Sequence, residues 1–313
     1  MIVTGKRRWV HRWLTPALFL APALILFVTL FAWPAVQAMH VSLCQWSGFT
    51  PRMNYTGWTN FVKLWEDKRF EHALINNFWI MIVGGVVFFV FATLFALALN
   101  HPRLRGRKFF QTMIFFPAFI SVVGVATFWK LLYAPTSGLL NLGARSAGLE
   151  GVPWLSAESS FHSLGGLQIP VAMNSIIAMI VWSGVGGTMI LLLAGMRRIP
   201  QDYIDAARID GAYTRQQFFH ITVPMMREVI LIALSLWLIG SMGFFGHVQA
   251  LLAPEINEKC QVVSTLQYEY AFNNRTCIFL MGRATAMAVV QVVIVLALVG
   301  LVRLLREKES VEY

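Results

Sequence analysis

Residues 197 to 212 read Arg-Arg-Ile-Pro-Gln-Asp-Tyr-Ile-Asp-Ala-Ala-Arg-Ile-Asp-Gly-Ala, the order of a short helix with its own start and stop. Pro200 suits the first helical turn, Asp202 and Asp205 complement the positive end of the helix dipole, and Gly211 suits a left-handed termination. Tyr203, Ala206, Ala207 and Asp210 stand at i, i+3, i+4 and i+7 and so share one face. A flat face of alanines flanked by charges offers a small molecule little to hold, but it lets the helix seat closely in another protein's cleft. A helix lying on a membrane surface calls instead for bulky apolar residues and a basic opposite face, of which Tyr203, Ile204 and Ile209 supply only part. Thr214 and Gln217 have capping-box spacing and predict a second short helix, which Pro224 closes. The chemistry of this segment is contact with another protein.

Catalytic chemistry finds no comparable support. The chain has no G-x-x-x-x-G-K-[ST] phosphate loop and no His-Glu-x-x-His zinc motif, so it is expected to be no enzyme and to bind no ATP, metal or other cofactor itself. The 7 histidines are scattered, and His247, in an apolar run, reads as a packed polar residue. Cys44, Cys260 and Cys277 make no metal spacing. An oxidising outer compartment lets Cys260 and Cys277 either pair across one outer loop or stand as two thiols.

The elements that position the 197–212 segment belong in a bilayer. Of 313 residues 57% are apolar and only 13% charged, too little polar surface to clothe a soluble globule of this size. Six apolar runs are long enough to span as helices, near Leu14 to Val41, Asn77 to Leu99, Thr112 to Leu132, Ile169 to Leu193, Val229 to Leu252 and Thr285 to Leu305. The first follows Lys6, Arg7, Arg8 and Arg12 but is too long for a signal core, so it reads as a retained span. With six crossings, one side collects sixteen of the 25 basic residues, which makes both termini and residues 197–224 cytoplasmic. The pI near 9.9 reflects four short segments flanking spans rather than a continuous groove. Anionic lipid is therefore the expected partner of these charges, and nucleic acid is not.

The expected fold class is all-α, a polytopic chain forming one transmembrane domain over residues 1–313. Residues 42–76 make a first outer segment whose Trp46, Trp58 and Trp65 suit an interfacial cap, and Tyr133 to Gln168 read as loop. Pro22, Pro34 and Pro117 permit kinks. The small residues Ser183, Gly184, Gly186, Gly187 and Thr188, with Gly240, Ser241, Gly243 and Gly246, suit either close helix packing or a lining that admits a ligand.

Asp205-Ala206-Ala207, then Gly211, then Ile221-Thr222-Val223-Pro224 resembles the EAA loop of the inner-membrane permeases of binding-protein-dependent ABC importers. That loop has the form Glu-Ala-Ala, three residues, Gly, nine residues, Ile-x-Leu-Pro. Asp205 replaces Glu and Val223 replaces Leu; the spacing is kept. Pro22-Ala23-Leu24, Asn60 to Leu64, Phe70 to Asn77, Arg105-Gly106-Arg107 and Met281 to Ala284 extend the resemblance over nearly the whole chain. It is closest to the maltose-permease-like, carbohydrate-uptake subgroup.

The resemblance implies a type I importer architecture in the bacterial inner membrane. It implies a second permease subunit, two cytoplasmic ATPase subunits that hold ATP and Mg, and an extracytoplasmic solute-binding protein. Tyr203, Asp205, Ala206, Ala207, Asp210 and Gly211 would couple ATPase closure to the spans, and the sugar would lie mid-membrane on the spans flanking the loop. A sugar needs hydroxyl partners and flat apolar faces, which makes Trp182, Ser183, Gly184, Trp237, Ser241 and Phe244 the candidates, with Asn174 and Gln291 as further polar residues. An ion-coupled carrier is the rival reading, but such carriers bury acids in their spans and these six runs contain none.

Overall fold

The computed structural model of the chain describes residues 5–101, 103–158, 160–164, 167–253, 256–272 and 280–307. The chain begins with α1 (Gly5–Phe27), which passes through a π-helical segment, Val28–Ala32, into α2 (Trp33–Ser42). A hairpin of β1 (Cys44–Gln45) and β2 (Asn54–Tyr55) and the short α3 (Thr59–Trp65) follow. The second span is α4 (Lys68–Trp79), a π turn at Ile80–Gly84, and α5 (Gly85–Asn100). The third comprises α6 (Arg107–Phe115), a 3-10 turn at Phe116–Phe119 and α7 (Val122–Tyr133).

Outside the membrane stand α8 (Leu139–Ser146) and the hairpin β3 (Ser160–Leu164) and β4 (Leu167–Pro170); α9 (Val171–Met196) is the fourth span. The cytoplasmic loop holds α10 (Gln201–Ile209), α11 (Thr214–Gln217), a π segment at Phe218–Thr222 and α12 (Val223–Met225). Then come α13 (Arg227–Ser241), α14 (Phe245–Leu252), a 3-10 turn at Glu258–Cys260, α15 (Val263–Phe272) and the last span, α16 (Met281–Glu307). Four helices are long and apolar enough to cross a membrane unbroken; two bent pairs bring the total to six.

The chain divides into two compact units, residues 1–66 with 267–290, and residues 67–266 with 291–313. In the first unit, side chains from Pro16 to His40 are almost all exposed, as a span facing lipid or another subunit requires. Buried Asn60 donates to the carbonyls of Ser42 (2.8 Å) and Cys44 (2.9 Å) and so clamps the base of the first hairpin.

In the second unit α9 is the central element. It is apolar on every side, as a helix surrounded by others must be, and Met173, Ile176, Met179 and Met189 are wholly buried. At Gly186 it meets the backbone of α6: a Cβ there would lie 2.5 Å from the carbonyl oxygen of Ile114 and 2.6 Å from Cα of Phe115. Gly187, one residue on, faces open space. The small residues of this span thus divide by face, Gly186 packing against α6 and Gly187 unpacked.

Several sequence expectations are corrected here. The third span is not one helix: its halves meet at 101°, with Pro117 in the 3-10 turn that breaks it. The fifth span, expected to be continuous from Val229 to Leu252, breaks after Ser241 because Gly240 and Gly243 let a turn form there, closed by the Gly243 N–H on the Gly240 carbonyl at 2.9 Å. The outer stretch from Tyr133, expected to be loop, contains α8. Its wholly buried Asn141 bonds the carbonyl and N–H of Val152 and the indole of Trp154, organising the segment from inside.

Replacing Gly186 by Val forces two backbones apart, a cost of at least ~1–3 kcal/mol, whereas Gly187→Ala meets nothing. A clear drop in thermal unfolding temperature is expected for G186V in detergent and none for G187A; equal behaviour would contradict the packing described.

Candidate coupling loop and intramembrane site

The loop helix α10, between the fourth and fifth spans, has no buried residue. Its end has the geometry of a glycine stop. Gly211, at φ +80°, donates to the Arg208 carbonyl at 3.1 Å, and the Ala212 N–H reaches the Ala207 carbonyl at 2.9 Å, satisfying two carbonyls that the helix leaves open. The following helix starts one residue earlier than the capping-box spacing suggested: the N–H of Tyr213 bonds Gln216 Oε1 at 2.8 Å. Gln217 is instead buried and donates to the Ala212 carbonyl at 2.8 Å, tying the turn to the second helix.

Asp205 accepts from Arg208 at 2.9 Å and from Gln201 at 3.2 Å. Both members of the ion pair are exposed, so it fixes the acid's orientation more than it stabilises the fold. Tyr203, Ala206 and Asp210 are exposed and Ala207 half-buried. Around them Ile209 is 87% exposed and Tyr213 78%. Large apolar side chains this open, clustered on a short polar loop, mark a surface that another body covers.

The loop is joined to the spans at Met226, where the chain turns 72° from α12 into α13. The closing proline, Pro224, lies inside α12, so the turn comes two residues later than expected. Met226 is buried, and a Cβ on Gly195 of α9 would approach its Cε and Val229 Cγ2 to 3.2 Å each. The loop therefore meets α9 and α13 in close packing at this point.

Within the spans the candidate substrate residues fall into two groups. Trp182 stacks on Phe128 at 5.9 Å and meets Trp129 edge-on at 6.0 Å, while remaining 37% exposed. Its neighbour Ser183 is half-buried and donates back to the Ile180 carbonyl at 3.2 Å. Gly184 lies against Phe88, whose Cε2 would be 3.2 Å from an added Cβ.

Trp237 belongs to the second group and is 7% exposed. Its indole stacks on Phe88 at 4.6 Å, lies 5.8 Å from Phe244, and donates to the Met81 carbonyl at 2.9 Å. It sits in a notch made by Gly85, where a Cβ would lie 2.6 Å from the indole nitrogen. Ser241 is fully buried and bonds the Leu238 carbonyl. The polar atoms of Trp237 and Ser241 are thus already committed to the fold, whereas the face of Trp182 is open.

Asn174 and Gln291 also bond neighbouring helices, Asn174 accepting from Trp79 at 3.1 Å and Gln291 donating to the Met242 carbonyl at 2.9 Å. Cys260 is a buried thiol pushed up to about 12 by burial, and Cys277 lies outside the described residues. Among the described residues no group of His, Cys, Asp and Glu is arranged to hold a metal.

Sequence reasoning passed over two buried asparagines at the head of the second span. Asn76 donates to the carbonyls of Lys259 and Gln261, both at 2.8 Å. Asn77 donates to the Ser241 carbonyl at 3.0 Å and accepts from the Val263 N–H at 2.8 Å. An Asn-Asn doublet opening an apolar run was the available signal.

The family described as "Binding-protein-dependent transport system inner membrane component" matches residues 5–310. The chain belongs to this family. It is 34% identical over 287 residues to the probable ABC transporter permease protein YurN of Bacillus subtilis, covering 90% of this chain and 92% of that one. It is 30% identical over 298 residues to the diacetylchitobiose uptake system permease protein NgcF of Streptomyces coelicolor, covering 91% and 80%. A bacterial ABC transporter involved in the import of the acidic polysaccharide alginate has the same fold, with a TM-score of 0.79 and 24% identity over 97% of this chain and 99% of that one. The chain is accordingly an ABC permease, a multi-pass inner-membrane transport component of the expected importer architecture.

The two tryptophans are expected to separate experimentally. Trp237→Phe removes a buried hydrogen bond of about 1 kcal/mol and is expected to lower thermal stability while uptake per folded molecule holds. Trp182→Ala is expected to cost about 1–3 kcal/mol through its lost contacts with Phe128 and Trp129 and, beyond that, to cut uptake per folded molecule severely. The reverse pattern would remove Trp182 from the substrate path.

Proposed function

We propose that this permease is one of two membrane subunits of an ATP-driven, binding-protein-dependent importer that moves sugars, oligosaccharides or similar polyols, inward by alternating access. The observation that carries the reading is α10, a helix closed by Gly211 with an open, small-residue face and uncovered apolar neighbours; the charge distribution of the sequence puts it on the side where ATP is available. Two cytoplasmic ATPase subunits hold ATP and Mg, and this chain holds neither. A solute-binding protein delivers substrate from outside. Several relatives are named for saccharide uptake, among them a lactose permease of Rhizobium radiobacter and an alpha-glucoside permease of Rhizobium meliloti. A similar transporter was solved with an alginate pentasaccharide-bound periplasmic protein, with a TM-score of 0.77 and 23% identity over 94% of each chain.

On this reading Tyr203, Ala206 and Ala207 form the contact face, Asp205 and Asp210 orient it by charge, and Gly211 fixes the angle at which the helix leaves the membrane. ATPase closure pushes α10, and the tight joint at Gly195 and Met226 passes the push to α9 and α13. Trp182, Ser183 and Gly184 line the sugar path on α9. Trp237, Ser241 and Phe244 form the opposing wall, whose rigidity comes from the bonds just described.

A Cβ on Gly211 meets no atom within 4 Å, so a substitution there acts through the backbone alone. Val resists a positive φ at a cost of at least 1–2 kcal/mol, whereas Asn accepts it. Gly211→Val is expected to abolish ATP-dependent oligosaccharide uptake by the reconstituted complex with membrane insertion unchanged, and Gly211→Asn to retain most of it. Normal uptake by G211V would overturn the coupling role, and uptake by this chain alone, driven by an ion gradient without nucleotide, would overturn the importer reading.

A further inference from the structure

The first hairpin carries a second candidate site. Its loop, with Leu280, encloses an open cavity of about 560 Å³ on the outer side of the first span, a size within the ~300–1,000 Å³ usual for small-ligand sites. The cavity is lined by Gln45, Trp46, Ser47, Thr50, Arg52 and Asn54, together with Pro51 and Leu280. This is a ring of planar hydrogen-bonding groups around one aromatic, with a single charge.

The backbone beneath is held firmly. Gln45 pairs with Asn54 in the hairpin, Asn60 clamps its base, and the Trp46 carbonyl accepts the Gly282 N–H at 3.1 Å. Gly282 itself admits no side chain, since a Cβ there would collide with the Cys44 carbonyl. The Trp46 indole N–H closes the loop on the Thr50 carbonyl at 2.6 Å, and the loop turns at Gly48 with φ +91°. Trp46 is therefore fixed and half-buried, with its one polar atom already used.

The rim is the opposite. Gln45, Arg52 and Asn54 are exposed, and none makes a side-chain bond to a described residue. Folding alone gives no reason for two amides, a guanidinium and an immobilised indole to surround one concavity. A pyranose ring does: its C–H face packs on an aromatic ring, and its vicinal hydroxyls take paired bonds from amide and guanidinium groups.

We propose that this cavity is an outer saccharide-binding site, separate from the mid-membrane path, that holds an oligosaccharide chain as it enters. The proposal rests on the sugar-importer reading but stands on its own residues. Trp46 stacks, Asn54 and Gln45 bond hydroxyls, and Arg52 bonds a hydroxyl or, on an acidic sugar, a carboxylate.

The test uses the full permease–ATPase complex in lipid nanodiscs without solute-binding protein. It is titrated with maltopentaose, cellopentaose and chitopentaose and followed by saturation-transfer NMR. At least one saccharide is expected to bind the wild type, and Arg52→Ala with Asn54→Ala to weaken it at least about fivefold, the equivalent of about one hydrogen bond. The side chains of these two residues make no bonds to described residues, so the variant is expected to unfold at the wild-type temperature; Trp46→Leu serves as the second, stacking variant. Saccharide binding that neither variant alters, or no binding of any of the three, overturns the site. So does a variant whose only defect is weaker capture of the solute-binding protein. Uptake of the same saccharides by cells carrying the wild-type system is measured separately: its absence counts against the importer reading, and its presence without nanodisc binding removes only this site.

Discussion

A helix broken inside hydrocarbon exposes backbone groups that no water can satisfy, and this chain breaks its third span around Pro117 and its fifth after Ser241. The interaction on which the rest depends is the closure of the break in the fifth span by side-chain amides from other helices. Asn77 of the second span takes the Ser241 carbonyl, and Gln291 of the last span takes the Met242 carbonyl. With those bonds made, the turn between α13 and α14 survives in the membrane, and the span becomes a jointed strut. The third span solves the same problem locally, with the Ile120 N–H on the Pro117 carbonyl and Ser121 capping Gly124 at the start of α7.

The strut runs between the loop that holds α10 and the aromatic cluster around Trp237. At its inner end the 72° turn at Met226 joins it to the coupling loop, and at its outer end the break lies beside Phe244 and the indole of Trp237. Trp237 binds the strut to the second span through the Gly85 notch and the Met81 carbonyl, which lies in the π turn of that helix and also accepts from the Gly85 N–H. Small residues permit close approach and amides fix the angle, so a push on the loop finds few soft elements in which to dissipate. That combination suits a permease whose energy comes from a partner.

Much of this was legible in the sequence because the membrane leaves few options. Each apolar run had to be a helix, and the distribution of Lys and Arg predicts the side on which Asp205 to Gly211 lie. Gly211 was readable as a stop because few other residues hold a positive φ cheaply. Pro117 signalled a kink, although not one of 101°.

The break after Ser241 was not legible, because Gly240 and Gly243 read equally well as packing glycines. Nor were the roles of Asn76 and Asn77, whose partners lie 164 to 186 positions further along the chain. The division between Trp182, partly exposed, and Trp237, buried and bonded to the second span, also needed the third dimension. Both are tryptophans in apolar spans with identical local signals. The most direct measurement for the account as a whole places a photocrosslinking residue at Ala206 in the assembled, membrane-embedded complex. An ATP-sensitive adduct with a cytoplasmic ATPase subunit is the result it predicts, and no adduct with any second protein, or labelling of that position from outside the membrane, would contradict it.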